Sequence, residues 1–153
     1  MDHTSLITSI TQEFITQLGF PDDITIEVKP DPDSQIYNIL LSTPNAALVI
    51  GYHGETLAAI QLLLSLHLHS RIEEWVNISV NVNDYRERRA SSLHALADSV
   101  VARVVATSQS HTLPPMPSNE RRVIHMYLSN HPQVSTTSTG EGRSRALVIS
   151  PKA

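Results

Sequence analysis

Apolar residues return every three or four positions along residues 4–18, at Leu6, Ile7, Ile10, Phe14, Ile15 and Leu18. That spacing paints one face of a helix, and Gly19 supplies a stop. The period then changes to two. Ile24, Ile26 and Val28 alternate with Thr25, Glu27 and Lys29, the pattern of a half-buried strand. Pro30-Asp31-Pro32-Asp33 cannot extend it, because proline lacks the N–H that a ladder uses. A hairpin loop is expected there, with a return strand over 36–41. Pro44-Asn45 can open a short helix through Ile50. A longer helix is expected over about 55–69, with Leu57, Ile60, Leu64, His67 and Leu68 on its buried stripe. Val76, Ile78, Val80 and Val82 then alternate cleanly as a third strand. Strands of one amphipathic sheet need a cover on one face, so this half is expected to be a two-layer α/β sandwich.

The second half repeats the class of structure but not the sequence. Asp84 with Glu87 three residues later resembles a capping box, and the helix it opens is expected to reach Thr107. Leu93, Leu96, Ala97, Val100 and Val104 form its stripe. Residues 108–111 read as loop and 113–117, with three prolines, as extended chain. A further helix is expected over 118–128, with Val123, Ile124, Tyr127 and Leu128 apolar. Residues 134–139 are rich in β-branched side chains and read as a strand. Gly140-Glu141-Gly142 turns the chain, and 145–150 returns it.

Charge divides the chain near Asn83. Residues 1–83 hold two cations, Lys29 and Arg71, and ten carboxylates, which makes −8. Residues 84–153 hold nine cations and five carboxylates, which makes +4, and the sum is the net charge of −4. An acidic and a basic half imply two different surfaces. The chain has no cysteine, which excludes disulfides, thiolate metal sites and a thiol nucleophile. No apolar run is long enough to span a bilayer, and no cleavable leader follows Met1, so a cytoplasmic protein without membrane insertion is expected.

Little in the sequence points to catalysis or metal binding. His67 and His69 are two apart on a helix and point to different faces, and the other histidines have no partner at ligand spacing, so no metal site and no cofactor are expected. Glu73-Glu74 and Asp22-Asp23 have the ordinary look of solvated surface, and nucleophile-elbow, P-loop and Rossmann motifs are absent.

Two stretches carry candidate chemistry. The first is Gly51-Tyr52-His53-Gly54, set between two helical runs. Glycine leaves room for an anion to reach the unpaired N–H groups at a helix start. The same two glycines also suit a plain tight helix–helix turn. Tyr52 fits either an exposed stacking platform for a base or a loop anchor. The second stretch is Arg121 and His125, four apart on one helix face, with Arg122 beside them. A guanidinium and an imidazole on one face can hold a phosphate together. A solvated helix face has the same pattern.

Together these stretches resemble a known arrangement. Val49-Ile50-Gly51-Tyr52-His53-Gly54-Glu55-Thr56-Leu57 is similar to the glycine loop of a type II KH domain, whose order is α-β-β-α-α-β. Asn83-Asp84-Tyr85-Arg86-Glu87-Arg88-Arg89 resembles the junction in the Jag (SpoIIIJ-associated, KhpB-like) family. Asn119-Glu120-Arg121-Arg122-Val123-Ile124-His125 resembles the core of an R-three-H domain, and Gly140-Glu141-Gly142 followed by Arg145 and an apolar strand resembles its end. The resemblance covers roughly residues 4–151.

It implies two small consecutive α/β sandwich domains, a type II KH domain over 1–83 and an R-three-H domain over 84–153. It also implies a bacterial, cytoplasmic, non-enzymatic RNA-binding protein, and the first reading of the chain is a module for single-stranded nucleic acid, RNA ahead of single-stranded DNA. A second small KH protein is the implied partner. The implied contacts are Gly51, Tyr52, His53 and Gly54, with Arg121, Arg122 and His125. Charge placement adds Arg86, Arg89, Arg143 and Arg145. Family loops usually place Lys or Arg between the glycines, where this chain has Tyr52 and His53. The second half is therefore expected to carry more of the RNA affinity than the loop. The competing reading, favoured by the acidic first half, is a protein-interaction adaptor whose KH loop has lost RNA binding.

Overall fold

The computed structural model describes residues 3–152. The chain divides into two compact units, residues 1–86 and 87–153. The first contains helix α1 (Thr4–Gln17), strands β1 (Thr25–Pro30) and β2 (Ile36–Ser42), helices α2 (Ala46–Ile50) and α3 (Glu55–Ile72), and strand β3 (Asn77–Val82). Its sheet has the order β1-β2-β3, with β1 antiparallel and β3 parallel to β2. A parallel pair needs a crossover, which α2 and α3 supply.

The register puts Val28 opposite Ile39 and Ile39 opposite Val80, so one apolar row crosses the sheet. Ile7, Ile10 and Phe14 of α1 and Leu57, Ile60, Leu64 and Leu68 of α3 complete this buried core. Burying each such side chain stabilises by roughly 1.5–3 kcal/mol before entropy is counted. His67, expected on the buried stripe of α3, is half-buried with its ring 5.6 Å from that of Phe14.

Polar groups tie down the end of this sheet from which α2 departs. Thr43 N–H donates to Asn83 Oδ1, and Asn83 Nδ2 donates back to Thr43 O, each at 3.1 Å. Asp23 accepts from Thr43 Oγ1 at 3.1 Å and from Asn45 Nδ2 at 2.9 Å. These bonds set the point from which the chain enters α2 and the glycine loop.

Helix α4 (Tyr85–Thr107) gives its first two residues to the first unit and the rest to the second. The second unit continues with β4 (His111–Thr112), α5 (Ser118–Leu128), β5 (Val134–Thr139) and β6 (Ala146–Pro151). Its sheet is β4-β6-β5, antiparallel throughout. Leu93, Ala97, Val100 and Val104 of α4 pack with Ile124 and Leu128 of α5 over Val134, Leu147 and Ile149.

Strand β4 was not expected, since two residues are too few to show an alternation. Its pairing with β6 is extended by the bonds Leu113 N–H to Leu147 O (2.8 Å) and Met116 N–H to Arg145 O (3.2 Å). Tyr127, read as part of the apolar face of α5, is exposed instead. Its ring stacks on His94 at 4.1 Å and its hydroxyl donates to the Asp98 carboxylate at 3.1 Å. That bond holds the phenol above its ordinary pKa. Among the described residues no helix is long and apolar enough to cross a membrane.

Candidate nucleic-acid interface

In the first unit, α2 runs into Gly51 and α3 starts at Glu55. Gly51 has φ 70° and ψ −169°, a region that essentially only glycine enters. A Cβ there would lie 2.0 Å from Thr56 Oγ1. His53 (φ 52°) and Gly54 (φ 79°) are left-handed. A Cβ on Gly54 would lie 3.2 Å from the Tyr85 ring. Both glycines are therefore held by local geometry. An acidic substitution at Gly54 would strain the fold as well as repel an anion, so it is no clean probe of phosphate contact. Tyr52 stands out at 76% exposure, its ring edge-on to His53 at 4.2 Å. Tyr52 is exposed and does not anchor the loop in the core.

Arg86 lies at the end of this unit. Its Nε donates to Val80 O at 2.9 Å and its Nη2 to Gln61 Oε1 at 2.8 Å. Gln61 Oε1 also accepts from Val80 N–H at 3.0 Å. Arg86 thus links α3 to β3 with two of its five N–H groups. Arg89, in the second unit, is bound more tightly. Its Nε and Nη2 donate to the two oxygens of Glu120 at 2.6 and 2.9 Å, and Glu120 is only 3% exposed. Arg89 is committed to the fold by its pairing with a buried carboxylate, whereas exposed Arg86 keeps three N–H groups beyond its two internal bonds.

The second unit gathers other cations into one cleft of about 280 Å³, lined by Ser118, Arg121, Arg122, His125, Thr136, Ser138 and Leu147. The cause is a match of repeats. Arg121 and His125 are one helical turn apart, about 6 Å along the axis. Ser138 and Thr136 are two residues apart on β5, about 6.8 Å, and share a strand face. Helix α5 runs along β5 so that each helical residue meets one hydroxyl. Arg121 Nη1 donates to Ser138 Oγ, and its Nε donates to Met116 O at 3.2 Å. His125 Nδ1 and Thr136 Oγ1 share a hydrogen bond of 2.6 Å. Arg145 Nε also donates to Ser138 Oγ, at 3.0 Å.

One serine hydroxyl thus accepts from two guanidinium groups and holds them near each other. Each guanidinium keeps further N–H donors, and His125 keeps Nε2 for a ligand. Arg122 is exposed on the wall of the cleft. Arg143 lies in the exposed turn Gly142–Ser144 and does not line the cleft. The arrangement offers directed positive donors on one wall of the cleft. Among the described residues no three His, Asp or Glu side chains are placed to hold a metal ion.

Comparison with known proteins assigns both units. The family profile of the KhpA/KhpB KH domain matches residues 7–84, and that of the R3H domain matches residues 91–151. The chain belongs to the KhpB (Jag) family. The RNA-binding protein KhpB of Bacillus subtilis is 44% identical over 110 residues, 70% of this chain and 52% of that protein. KhpB of Lactiplantibacillus plantarum is 37% identical over 126 residues, 82% of this chain and 39% of its own. KhpB of Streptococcus pneumoniae is 34% identical over 130 residues, 84% and 40%. The chain spans about 40 to 50% of the length of these relatives.

Gly51 to Gly54 fall within the matched KH domain, and Arg121 and His125 within the matched R3H domain. The structure brings Arg121, Arg122 and His125 together and links Arg145 to them through Ser138. Sequence reasoning missed Thr136 and Ser138. A signal existed: with Val134 facing inward, positions 136 and 138 must face inward too. Hydroxyls on a core-facing row, opposite an Arg and a His, mark a polar seam.

Proposed function

We propose that this chain is a non-catalytic single-stranded RNA-binding protein of the bacterial cytoplasm, with its main phosphate contacts in the cleft of the second unit. The observation that carries this reading is the joining of Arg121, Arg122 and His125 on one wall, with Arg145 gathered by Ser138. Arginine pairs well with phosphate, and a guanidinium already held in place loses less entropy when it binds. The printed name of the relatives, RNA-binding protein, supports the same ligand. The same contacts suit a DNA phosphate. The KH loop adds the Tyr52 ring for base stacking but has no Lys or Arg between its glycines. The adaptor reading is favoured by the acidic first half and leaves the cleft without a role.

Anisotropy of a labelled single-stranded RNA across a salt series tests the proposal. About three phosphate contacts give a slope of log affinity on log salt of roughly −2, at about 0.7 per contact. Arg121→Ala should weaken binding about tenfold and make the slope shallower by somewhat under one unit. Ser138→Ala should weaken binding about three- to tenfold, as expected for a lost hydrogen bond, with the slope unchanged because no charge is removed. An Arg121→Ala variant with wild-type affinity and slope would rule out the cleft.

A second small KH protein is proposed as partner. Leu62, Leu63 and Leu66 are exposed on neighbouring positions of α3 in the KH unit. Contiguous exposed apolar surface of this kind marks interaction sites. A KhpA-type KH protein should co-elute with this chain in size-exclusion chromatography, and Leu66→Lys should separate them. Co-elution that survives the lysine would place the contact elsewhere.

A further inference from the structure

Trp75 is the only tryptophan of the chain, and it is 67% exposed. Its indole lies flat on His69, with ring centroids 3.9 Å apart and planes 6° apart. His69 covers one face, so the exposed area belongs to the other face and the edges. Trp75 also lines a cleft of about 440 Å³ with His3, Pro30, Tyr37, Glu74 and Asn77. Clefts that take small ligands or side chains measure about 300–1,000 Å³.

The cleft is remote from the glycine loop within the same unit. Ile36 pairs with Asn77 at the start of β2 and β3, beside the cleft. Those strands end near Thr43 and Asn83, and Tyr85, whose ring lies 3.2 Å from where a Cβ on Gly54 would stand, follows directly.

The lining selects one chemistry. Trp75 and Tyr37 offer aromatic surface, and indole is the best partner for a cation–π contact. Glu74 offers an exposed carboxylate, 3.8 Å from His3 Nε2. Asp31 and Asp33 lie in the loop between the lining residues Pro30 and Gln35. Residues 1–83 carry −8, which draws cations and repels a polyanion. A planar guanidinium can stack on indole and pair with a carboxylate at once, which an ammonium does less well. We propose that this cleft recognises an arginine side chain carried by a basic protein segment.

Because Trp75 is the sole tryptophan, its fluorescence reports the site directly in the full chain. A short peptide with one central arginine should change the emission saturably at physiological salt. The same peptide with citrulline, which keeps the shape and loses the charge, should bind at least about threefold more weakly. Glu74→Gln should weaken the arginine peptide about threefold, in the range of an exposed ion pair. Asp22→Asn, an equal charge change in the turn after α1, should have no effect. The proposal is overturned if citrulline and arginine peptides bind alike, if the Asn variant matches the Gln variant, or if the arginine peptide leaves the emission unchanged. A response to adenosine monophosphate without one to the peptide would make the indole a base-stacking surface instead.

Discussion

Gly51→Ala is expected to destabilise the first unit by about 3 kcal/mol or more, from two separable terms. The first is conformational: φ 70° with ψ −169° is a glycine region, and holding another residue there costs about 1–3 kcal/mol. The second is steric. The new methyl would fall 2.0 Å from Thr56 Oγ1 and 2.7 Å from Thr56 Cβ, at the start of α3. Overpacking of this sort costs about 1–3 kcal/mol. Gly19→Ala separates the two terms. Gly19 also has positive φ, +75°, but a Cβ there meets nothing within 4 Å. It should cost only about 1–2 kcal/mol, the left-handed penalty. Urea denaturation followed by Trp75 fluorescence reports the first unit in both variants. Equal losses would show that Thr56 moves aside and that the loop is not held by this contact.

Arg89→Ala should destabilise the second unit by about 3 kcal/mol, the usual cost of breaking a buried pair from one side. Glu120 is the buried member, at 3% against 32% for the Arg89 side chain. Removing the guanidinium strips two charge-assisted bonds from a carboxylate that water reaches poorly. Glu120→Gln should cost less, about 1–2 kcal/mol, because Arg89 can turn to solvent. The order of the two losses is the sharp part of the prediction. Hydrogen exchange at Ile124 and Leu128, in the core of α5, measures both. The RNA salt slope of the folded Arg89→Ala protein should match the wild type. A stable Arg89→Ala protein with a shallower slope would instead make Arg89 a phosphate contact.

This pair also shows why the cations could not be sorted from sequence. Arg86, Arg89, Arg121 and Arg145 are chemically alike and all lie in the basic half. What separates them is where Glu120, Gln61 and Ser138 stand. Glu120 lies 31 residues from Arg89 and Ser138 lies 17 from Arg121. Such separations carry no periodic signal. A charge count treats every arginine as equally available, whereas folding pairs Arg89 with the buried Glu120 and gives Arg86, Arg121 and Arg145 only neutral acceptors.

The element order was legible because local patterns determine it. Apolar residues at helical spacing set α1, α3, α4 and α5, alternation set β1 and β3, β-branched content set β5, and the turns before them marked β2 and β6 as return strands. Hydrophobic faces must be buried, so the two-layer α/β class followed from the same patterns. The two glycines of the loop were also legible, since positive φ is a demand that glycine meets locally, whereas the approach of Tyr85 to Gly54 comes from the fold. The tertiary structure alone decided the rest. It paired the two-residue β4 with β6, turned Tyr127 outward onto His94 and Asp98, and buried Glu120 against Arg89. It also laid α5 along β5 so that Thr136 and Ser138 meet His125 and Arg121. Each of these depends on which element lies over which, and that is set by the packing of the whole core.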